Sequence, residues 1–134
     1  MIRNLWVAAF VCFAGACIAQ PQHHYPRLAF IETNAAGKEV RKLTFELTDQ
    51  PAKTCISGEW KQARVVSDAG RYTESPAYTM EDGKLEVLLV NTVCDGYDSY
   101  VGAITGTTFS GEHVAYGLGI HKALGKVKGA YQAP

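Results

Sequence analysis

The chain has 134 residues, and its 13 basic and 13 acidic side chains give a formal net charge of zero. It has no long run of basic residues that could neutralise a phosphate backbone, so we do not expect a nucleic-acid partner. A chain of this length can bury a hydrophobic core without a metal ion, and we expect one domain.

The first 19 residues are typical of an export signal. Arg3 precedes an uncharged run from Leu5 to Ala19, which ends in small residues and is followed by polar residues from Gln20. A membrane-spanning helix needs about 20 apolar residues. The shorter run therefore predicts a signal peptide over residues 1–19, with cleavage after Ala19 and a periplasmic or secreted product. Cleavage removes Arg3 and no acidic residue, so the mature net charge is about −1.

A second interpretation of the same segment is a bacterial lipoprotein box over residues 14–17. Cys17 would then be acylated and would become the first residue of the mature chain. Ala14 departs from the usual pattern, which has a bulky aliphatic residue at that position. Only this interpretation predicts a membrane partner.

The cysteines divide between the signal and the mature chain. Cys12 and Cys17 leave with the signal peptide, whereas Cys55 and Cys94 remain. An even pair of cysteines in an exported chain predicts a disulfide, with two buried free thiols as the alternative. Closing a loop of this length would stabilise the folded state by about 4 kcal/mol, through the lost freedom of the unfolded chain.

Residues 20–26 contain two prolines and no periodic pattern, which predicts a short flexible lead-in before one β domain over residues 27–134. Alternation is clearest in Val40–Thr48, where Leu43, Phe45 and Leu47 share one face and polar residues lie between them. Lys84–Val93 is apolar on both faces, as expected of a central strand. The eight predicted strands are Arg27–Thr33, Val40–Thr48, Gly58–Val66, Ala77–Glu81, Lys84–Val93, Tyr100–Phe109, Glu112–His121 and Lys126–Gln132.

Three glycine-containing turns join these strands into hairpins, at Asn34–Gly37, Asp82-Gly83 and Ser110-Gly111. About eight strands predict an all-β fold, either a small antiparallel barrel or a two-sheet sandwich with one disulfide. A simple meander would place the two bonded cysteines at opposite ends of the sheet. Disulfide geometry requires Cα atoms within about 7 Å. We therefore expect Ser67–Pro76 to cross over, or the fold to be a sandwich.

No pattern in the chain predicts catalysis or metal binding. His23 and His24 are adjacent in the lead-in, and His113 and His121 would lie about 27 Å apart on one continuous strand. Residues 95–99 offer two carboxylates but lack the alternating acids of a calcium loop. No serine lies in a Gly-x-Ser-x-Gly motif. We predict a protein without enzymatic activity, metal or cofactor.

A binding surface is predicted near the disulfide. The bond would bring the segment after Cys55 and the segment after Cys94 together. Tyrosine and tryptophan supply a large contact area at little entropic cost, which is why they are frequent in binding hot spots. The predicted contact residues are Trp60, Asp95, Tyr97, Asp98 and Tyr100.

Glu112–His121 offers a second candidate surface. One face of this predicted strand carries Ala115, Gly117 and Gly119. A face lined by glycines lets another backbone or an aromatic ring approach closely. It predicts either a packing site for a large side chain or a ligand slot.

The export signal, the size, the β content and the single disulfide are similar in outline to the small β-barrel lysozyme inhibitors of the bacterial periplasm. Ser57-Gly58-Glu59-Trp60 resembles the Ser-Gly-x-Tyr loop of some of them, with Trp60 in place of the tyrosine. The resemblance covers four residues and implies an analogy of fold rather than a family.

These observations favour an exported, non-catalytic binding module whose partner is another protein, in the manner of an inhibitor or an immunity factor. Two alternatives stay open. A carrier of small apolar ligands would need an open apolar cavity. An envelope enzyme would need clustered titratable groups in a cleft.

Overall fold

A computed structural model describes residues 24–67, 76–91 and 93–134, which form an antiparallel barrel. Each strand pairs with its neighbours in the sequence, and the first strand pairs with the last to close the barrel. The strands are β1 (Arg27–Thr33), β2 (Glu39–Pro51), β3 (Lys61–Ser67), β4 (Ala77–Glu81), β5 (Lys84–Leu88), β6 (Tyr97–Thr105), β7 (Thr108–Gly117) and β8 (Ile120–Gln132). The all-β prediction is confirmed in its barrel form, and the sandwich is not.

The predicted signal peptide and the first part of the lead-in lie outside the described residues. Of the lead-in, the described residues include Tyr25, whose hydroxyl donates to Asp49, and Pro26, whose carbonyl accepts a bond from the Leu47 amide. None of the described residues belongs to a helix long and apolar enough to cross a bilayer.

Aromatic rings fill the barrel interior, because every second residue of each strand points inward. Phe30 lies at the centre, with its ring centroid 5.6 Å from Phe45, 5.2 Å from Tyr100 and 4.9 Å from Phe109. All three pairs are edge-to-face, the arrangement that aromatic quadrupoles favour. An eight-stranded barrel is just wide enough for side chains to fill it.

One predicted turn is wrong. Ser110-Gly111 lies inside β7, and the chain turns at Gly106-Thr107 instead. Gly111 is paired with Gly102 on β6, and a Cβ on either glycine would meet the ring of Phe109 at 2.7–2.8 Å. A Cβ on Gly111 would also overlap the Val101 carbonyl oxygen, so this glycine allows a close approach of β6 beside a core ring and does not form a turn.

A second boundary also differs, because Glu112–His121 is not one strand. The chain reverses at Leu118-Gly119, so that β7 ends at Gly117 and β8 begins at Ile120. β5 is likewise shorter than predicted and ends at Leu88.

The disulfide between Cys55 and Cys94 is confirmed, with the Cα atoms 5.4 Å apart. It forms in a simple meander, so the predicted crossover at Ser67–Pro76 is wrong. Residues 68–75 themselves lie outside the described residues, but β3 pairs directly with β4 on either side of them.

The stagger between strands explains how a meander accommodates this bond. Gln62, near the start of β3, pairs with Ala77, and Ala77 pairs with Leu88 at the end of β5. The start of β3 is therefore level with the end of β5. Cys55 precedes the first of these points and Cys94 follows the second. Strand stagger is a requirement of barrel closure.

Candidate functional site

The structure separates the five predicted contact residues. Asp95 is exposed, Tyr97 is half-buried, and the side chain of Asp98 is 39% exposed. Trp60 and Tyr100 are buried. Three of the five therefore lie together at the surface, beside the disulfide.

Trp60 packs on the outside of the barrel. Its neighbours Ala77 and Leu88 each adjoin an inward-pointing residue in the sequence, so they face outward. Ile56 and Tyr97 pack against this cluster, and the indole N–H donates to the Ser57 carbonyl at 3.4 Å. Trp60 thus fastens the loop that carries Cys55 to the barrel wall, rather than facing solvent.

Tyr100 is fully buried inside the barrel, against Phe30. A surface contact through its side chain would require the ring to leave the core. Its predicted role as a contact residue is therefore corrected to a core residue. The next inward position on the same strand is Asp98, whose side chain reaches the rim of the barrel.

The surface beside Asp95 and Tyr97 carries three large apolar side chains that the sequence did not predict as a site. Val93 is 52% exposed, Leu118 is 83% exposed and Ile120 is 64% exposed. We call these three residues the apolar knob. They line a groove of about 350 Å³ together with Asp95, Gly96, Tyr97 and Asp98 and the end of β7.

Leu118 occupies an unfavourable backbone conformation. Its φ is 44° and that of Gly119 is 81°, the left-handed values of a two-residue hairpin turn. A large side chain at positive φ is uncommon and costs about 1–2 kcal/mol. Such strain persists where the surrounding structure over-determines the conformation, often at functional sites.

Gly117 supplies part of that surrounding structure. Its φ is 136°, and a Cβ there would overlap the carbonyl oxygen of Asp95. The backbone of the loop after Cys94 therefore packs directly on the start of the Leu118 turn. Gly119 lies in the turn and not on one strand face with Gly117, and the group that approaches Gly117 is the backbone of this loop rather than the large side chain that was predicted.

Tyr116 supports the same region from the outer face. Its ring centroid lies 5.1 Å from that of Tyr97, and its hydroxyl donates to Glu86 at 2.5 Å. Burial and the bond to Glu86 raise the pKa of Tyr116 to about 12. The hydroxyl thus remains a donor at physiological pH, and Glu86 also accepts from Ser99 at 3.0 Å.

A buried polar network lies beneath this surface. His113 Nδ1 lies 2.7 Å from Glu32 Oε1, and Nε2 of the same ring bonds to Asp98. The Tyr100 hydroxyl donates to the other Glu32 oxygen at 2.9 Å, and Arg41 Nε lies 3.8 Å from it. The network joins β1, β2, β6 and β7 at the interior of the barrel.

The network favours a charged imidazole. Burial lowers the pKa of His113, but hydrogen bonds to Asp98 and Glu32 outweigh it and hold the pKa above its ordinary value. Burial and the bond to Glu32 raise the pKa of Tyr100. Both nitrogens of His113 are engaged by carboxylates, so neither faces a reacting group. Among the described residues, no group of three histidine, cysteine or acidic side chains is arranged to hold a metal ion.

Sequence signals for these residues existed in part. Glu32 continues the inward alternation of Leu28 and Phe30, which places an acid in the core. Leu118 stands between two glycines, which could have been read as a turn with an apolar tip.

The comparisons with known proteins add no family. No protein-family model, no curated protein and no solved structure matches this chain.

Proposed function

We propose that this chain is an exported, non-catalytic module that binds another protein through the end of the barrel beside the disulfide. The observation that carries the proposal is Leu118. An 83% exposed leucine at a strained turn position contributes little to the stability of the chain. Exposed apolar side chains held on a rigid support are suited to anchoring a partner.

Two features support a preorganised surface. The Cys55–Cys94 bond limits the movement of the loop that carries Val93 and Asp95. The close approach at Gly117 couples this loop to the Leu118 turn. A surface ordered before binding loses less entropy when a partner docks.

The surface has the composition expected of a protein interface. The apolar knob forms its centre, Tyr97 presents a half-buried ring, and Asp95 and Asp98 supply polar groups at the rim. An apolar centre with a polar rim is the usual organisation of such interfaces. Asp95, Tyr97 and Asp98 are retained from the predicted site, and the knob is added.

The two alternative functions receive less support. Phe30, Phe45, Tyr100 and Phe109 occupy the interior that an apolar ligand would need. Both ring nitrogens of His113 are bonded to carboxylates, so among the described residues this imidazole has no free nitrogen with which to act as a general base. Export is supported by the confirmed disulfide, which suits an oxidising compartment.

Affinity capture from the periplasm or the growth medium tests the proposal, with Leu118→Asn as the decisive variant. Asparagine is tolerated at positive φ, so the turn should persist while the apolar side chain is lost. We expect at least about thirtyfold weaker binding of the captured protein, the effect of removing one hot-spot residue. Tyr97→Ala should also weaken it.

The matched control is Met80→Gln, which removes an exposed apolar side chain on β4. It should bind like the parent protein. If Leu118→Asn and Tyr97→Ala both bind with the parent affinity, the proposed surface is wrong.

A further inference from the structure

Strand β8 extends beyond the end of β1, the strand with which it closes the barrel. Its pairing with β1 begins at Lys126, which is opposite Thr33, whereas its pairing with β7 begins at Ile120. Ile120–Gly125 therefore has a strand on one side only, among the residues that the structure describes. Ile120–Leu124 is exposed at every position, with Ile120 at 64% and Leu124 at 38%.

The backbone of this segment offers hydrogen-bonding groups to a further strand. In an antiparallel ladder, residues alternate between those that bond to one neighbour and those that bond to the other. The two-residue turn makes Gly117 and Ile120 a bonded pair, so Lys122 also bonds to β7. His121 and Ala123 consequently direct their N–H and C=O groups to the side without a strand.

We propose that this free edge of β8 binds an extended, acidic segment of the partner protein by β-strand addition. The inference rests on the proposed function and names the chemistry of the partner. An unpaired edge is a template for another chain, and peptide recognition by strand addition uses main-chain hydrogen bonds for affinity. Ile120 belongs to both surfaces, so a partner strand on the edge would adjoin the apolar knob.

Charge selects the occupant of the edge. Ile120–Gly125 contains one lysine and one histidine and no acid, and β8 as a whole contains no acid. A partner strand with a carboxylate opposite Lys122 would complement the segment.

A second copy of this chain fits less well. Pairing His121 of one copy with Ala123 of the other would use all the outward-facing backbone groups. That register places Lys122 directly opposite Lys122, and like charges in directly opposed positions destabilise a strand pair.

The test uses the purified exported protein and two synthetic peptides, one alternating valine with glutamate and one alternating valine with lysine. We expect the acidic peptide to shift the amide signals of His121 and Ala123 in nuclear magnetic resonance and to slow their hydrogen exchange. The basic peptide should bind at least about tenfold more weakly. Equal binding of both peptides would overturn the proposed charge selection.

Ala123→Pro tests the role of the backbone. Its N–H faces the free side, so proline removes no bond to β7, as edge positions allow. Ala123→Val keeps the N–H and is the matched control, and unchanged melting temperatures verify that both variants fold. We expect Ala123→Pro to bind the acidic peptide about tenfold more weakly than the parent, and Ala123→Val to bind it with the parent affinity.

The outcomes separate this inference from the proposed function. One outcome is that Ala123→Pro binds the acidic peptide and the captured protein like the parent, while Leu118→Asn no longer binds the captured protein. Strand addition is then wrong, and binding through the apolar knob is supported. If sedimentation shows a dimer that Ala123→Pro abolishes, the occupant is a second copy and the acidic partner strand is wrong. If Leu118→Asn still binds the captured protein while Ala123→Pro does not, binding at the edge of β8 is supported and binding through the apolar knob is not.

Discussion

Two hairpin turns of this barrel have nearly the same backbone and different sequences. Asp82 and Gly83 have φ values of 50° and 76°, while Leu118 and Gly119 have values of 44° and 81°. Aspartate before glycine is a favoured pair for such a turn, and leucine before glycine is not. The first turn is therefore stabilised by its own sequence, whereas the second depends on its surroundings.

Their locations differ accordingly. Lys84 follows the Asp82-Gly83 turn and pairs with Ala103, which in turn pairs with Ser110 near the start of β7. The Leu118 turn follows the other end of β7. One end of the barrel thus carries a turn that favours stability. The other end carries a turn in which stability is reduced and an apolar side chain is exposed. The conformation of the second turn is therefore set by its surroundings rather than by its own sequence.

The largest expected effect follows from removing the disulfide. The double change Cys55→Ala and Cys94→Ala should lower the free energy of unfolding by about 4 kcal/mol, measured by denaturant titration. Hydrogen exchange should increase more at the Ile120 amide than at the Lys84 amide, the two bonded amides that follow the turns, because the Cys94 loop packs on Gly117. Equal increases at the two turns would contradict the view that the disulfide loop supports only one of them.

Alanine at Gly117, which precedes the Leu118 turn, and at Gly83, which belongs to the Asp82 turn, should give the next largest difference. In Gly117→Ala the new Cβ would overlap the Asp95 carbonyl at a φ of 136°, and we expect a loss of about 3 kcal/mol. In Gly83→Ala the Cβ would lie 3.3 Å from the Ile104 carbonyl oxygen, and we expect a loss of about 1 kcal/mol. Thermal unfolding of both variants provides the measurement. A smaller loss for Gly117→Ala than for Gly83→Ala would show that the close approach carries no strain.

A third effect is a pH dependence of the free energy of unfolding, which arises only at the end of the barrel that carries Asp98 and the disulfide. Burial lowers the pKa of His113, but the hydrogen bonds that the imidazole donates to Asp98 and Glu32 outweigh it and raise the pKa. Because the folded-state pKa is raised, the stabilisation is complete below the ordinary pKa of about 6.5 and is lost as the pH rises through the raised value. The free energy of unfolding should therefore fall with rising pH over that window.

His113→Gln should remove this part of the pH dependence, and the exposed His121→Gln should keep it. Unfolding titrations at several pH values from about 5 to 9 compare the two variants. A parent-like slope in His113→Gln would assign the pH dependence to other groups.

Much of the architecture could be predicted from alternation and turn chemistry. Arg27–Thr33 and Ala77–Glu81 were predicted with the bounds that the structure shows, and the Asp82-Gly83 turn was predicted as well. Their side chains carry the signal locally. Ser110-Gly111 was wrongly predicted as a turn. A glycine can either form a turn or allow the close approach of neighbouring groups, and here the approach of β6 and of the Phe109 ring explains it.

The barrel closure and the face of each site residue depend on pairing between distant strands. The stagger that brings Cys55 to Cys94 is a property of the register from β3 to β5, which no single strand encodes. Tyr100 follows the buried Ser99 and precedes the exposed Val101, so the inward direction of its ring is fixed by its partners on other strands. Asp95, Tyr97 and Asp98 could be placed together in advance because they follow Cys94 directly in the sequence, and the disulfide placed them beside the loop of Cys55.

The smallest expected effect comes from exchanging the first residues of the two turns, and it tests the comparison most directly. Leu118→Asp should raise the free energy of unfolding by about 1 kcal/mol, because aspartate tolerates positive φ better than leucine. Asp82→Leu should lower it by about the same amount, for the converse reason. Each variant is the control for the other, since the backbone is shared and only the local fit changes. Denaturant unfolding at one pH measures both. If Leu118→Asp destabilises the protein, the exposed leucine stabilises its own turn, and its conformation is then no sign of selection for binding.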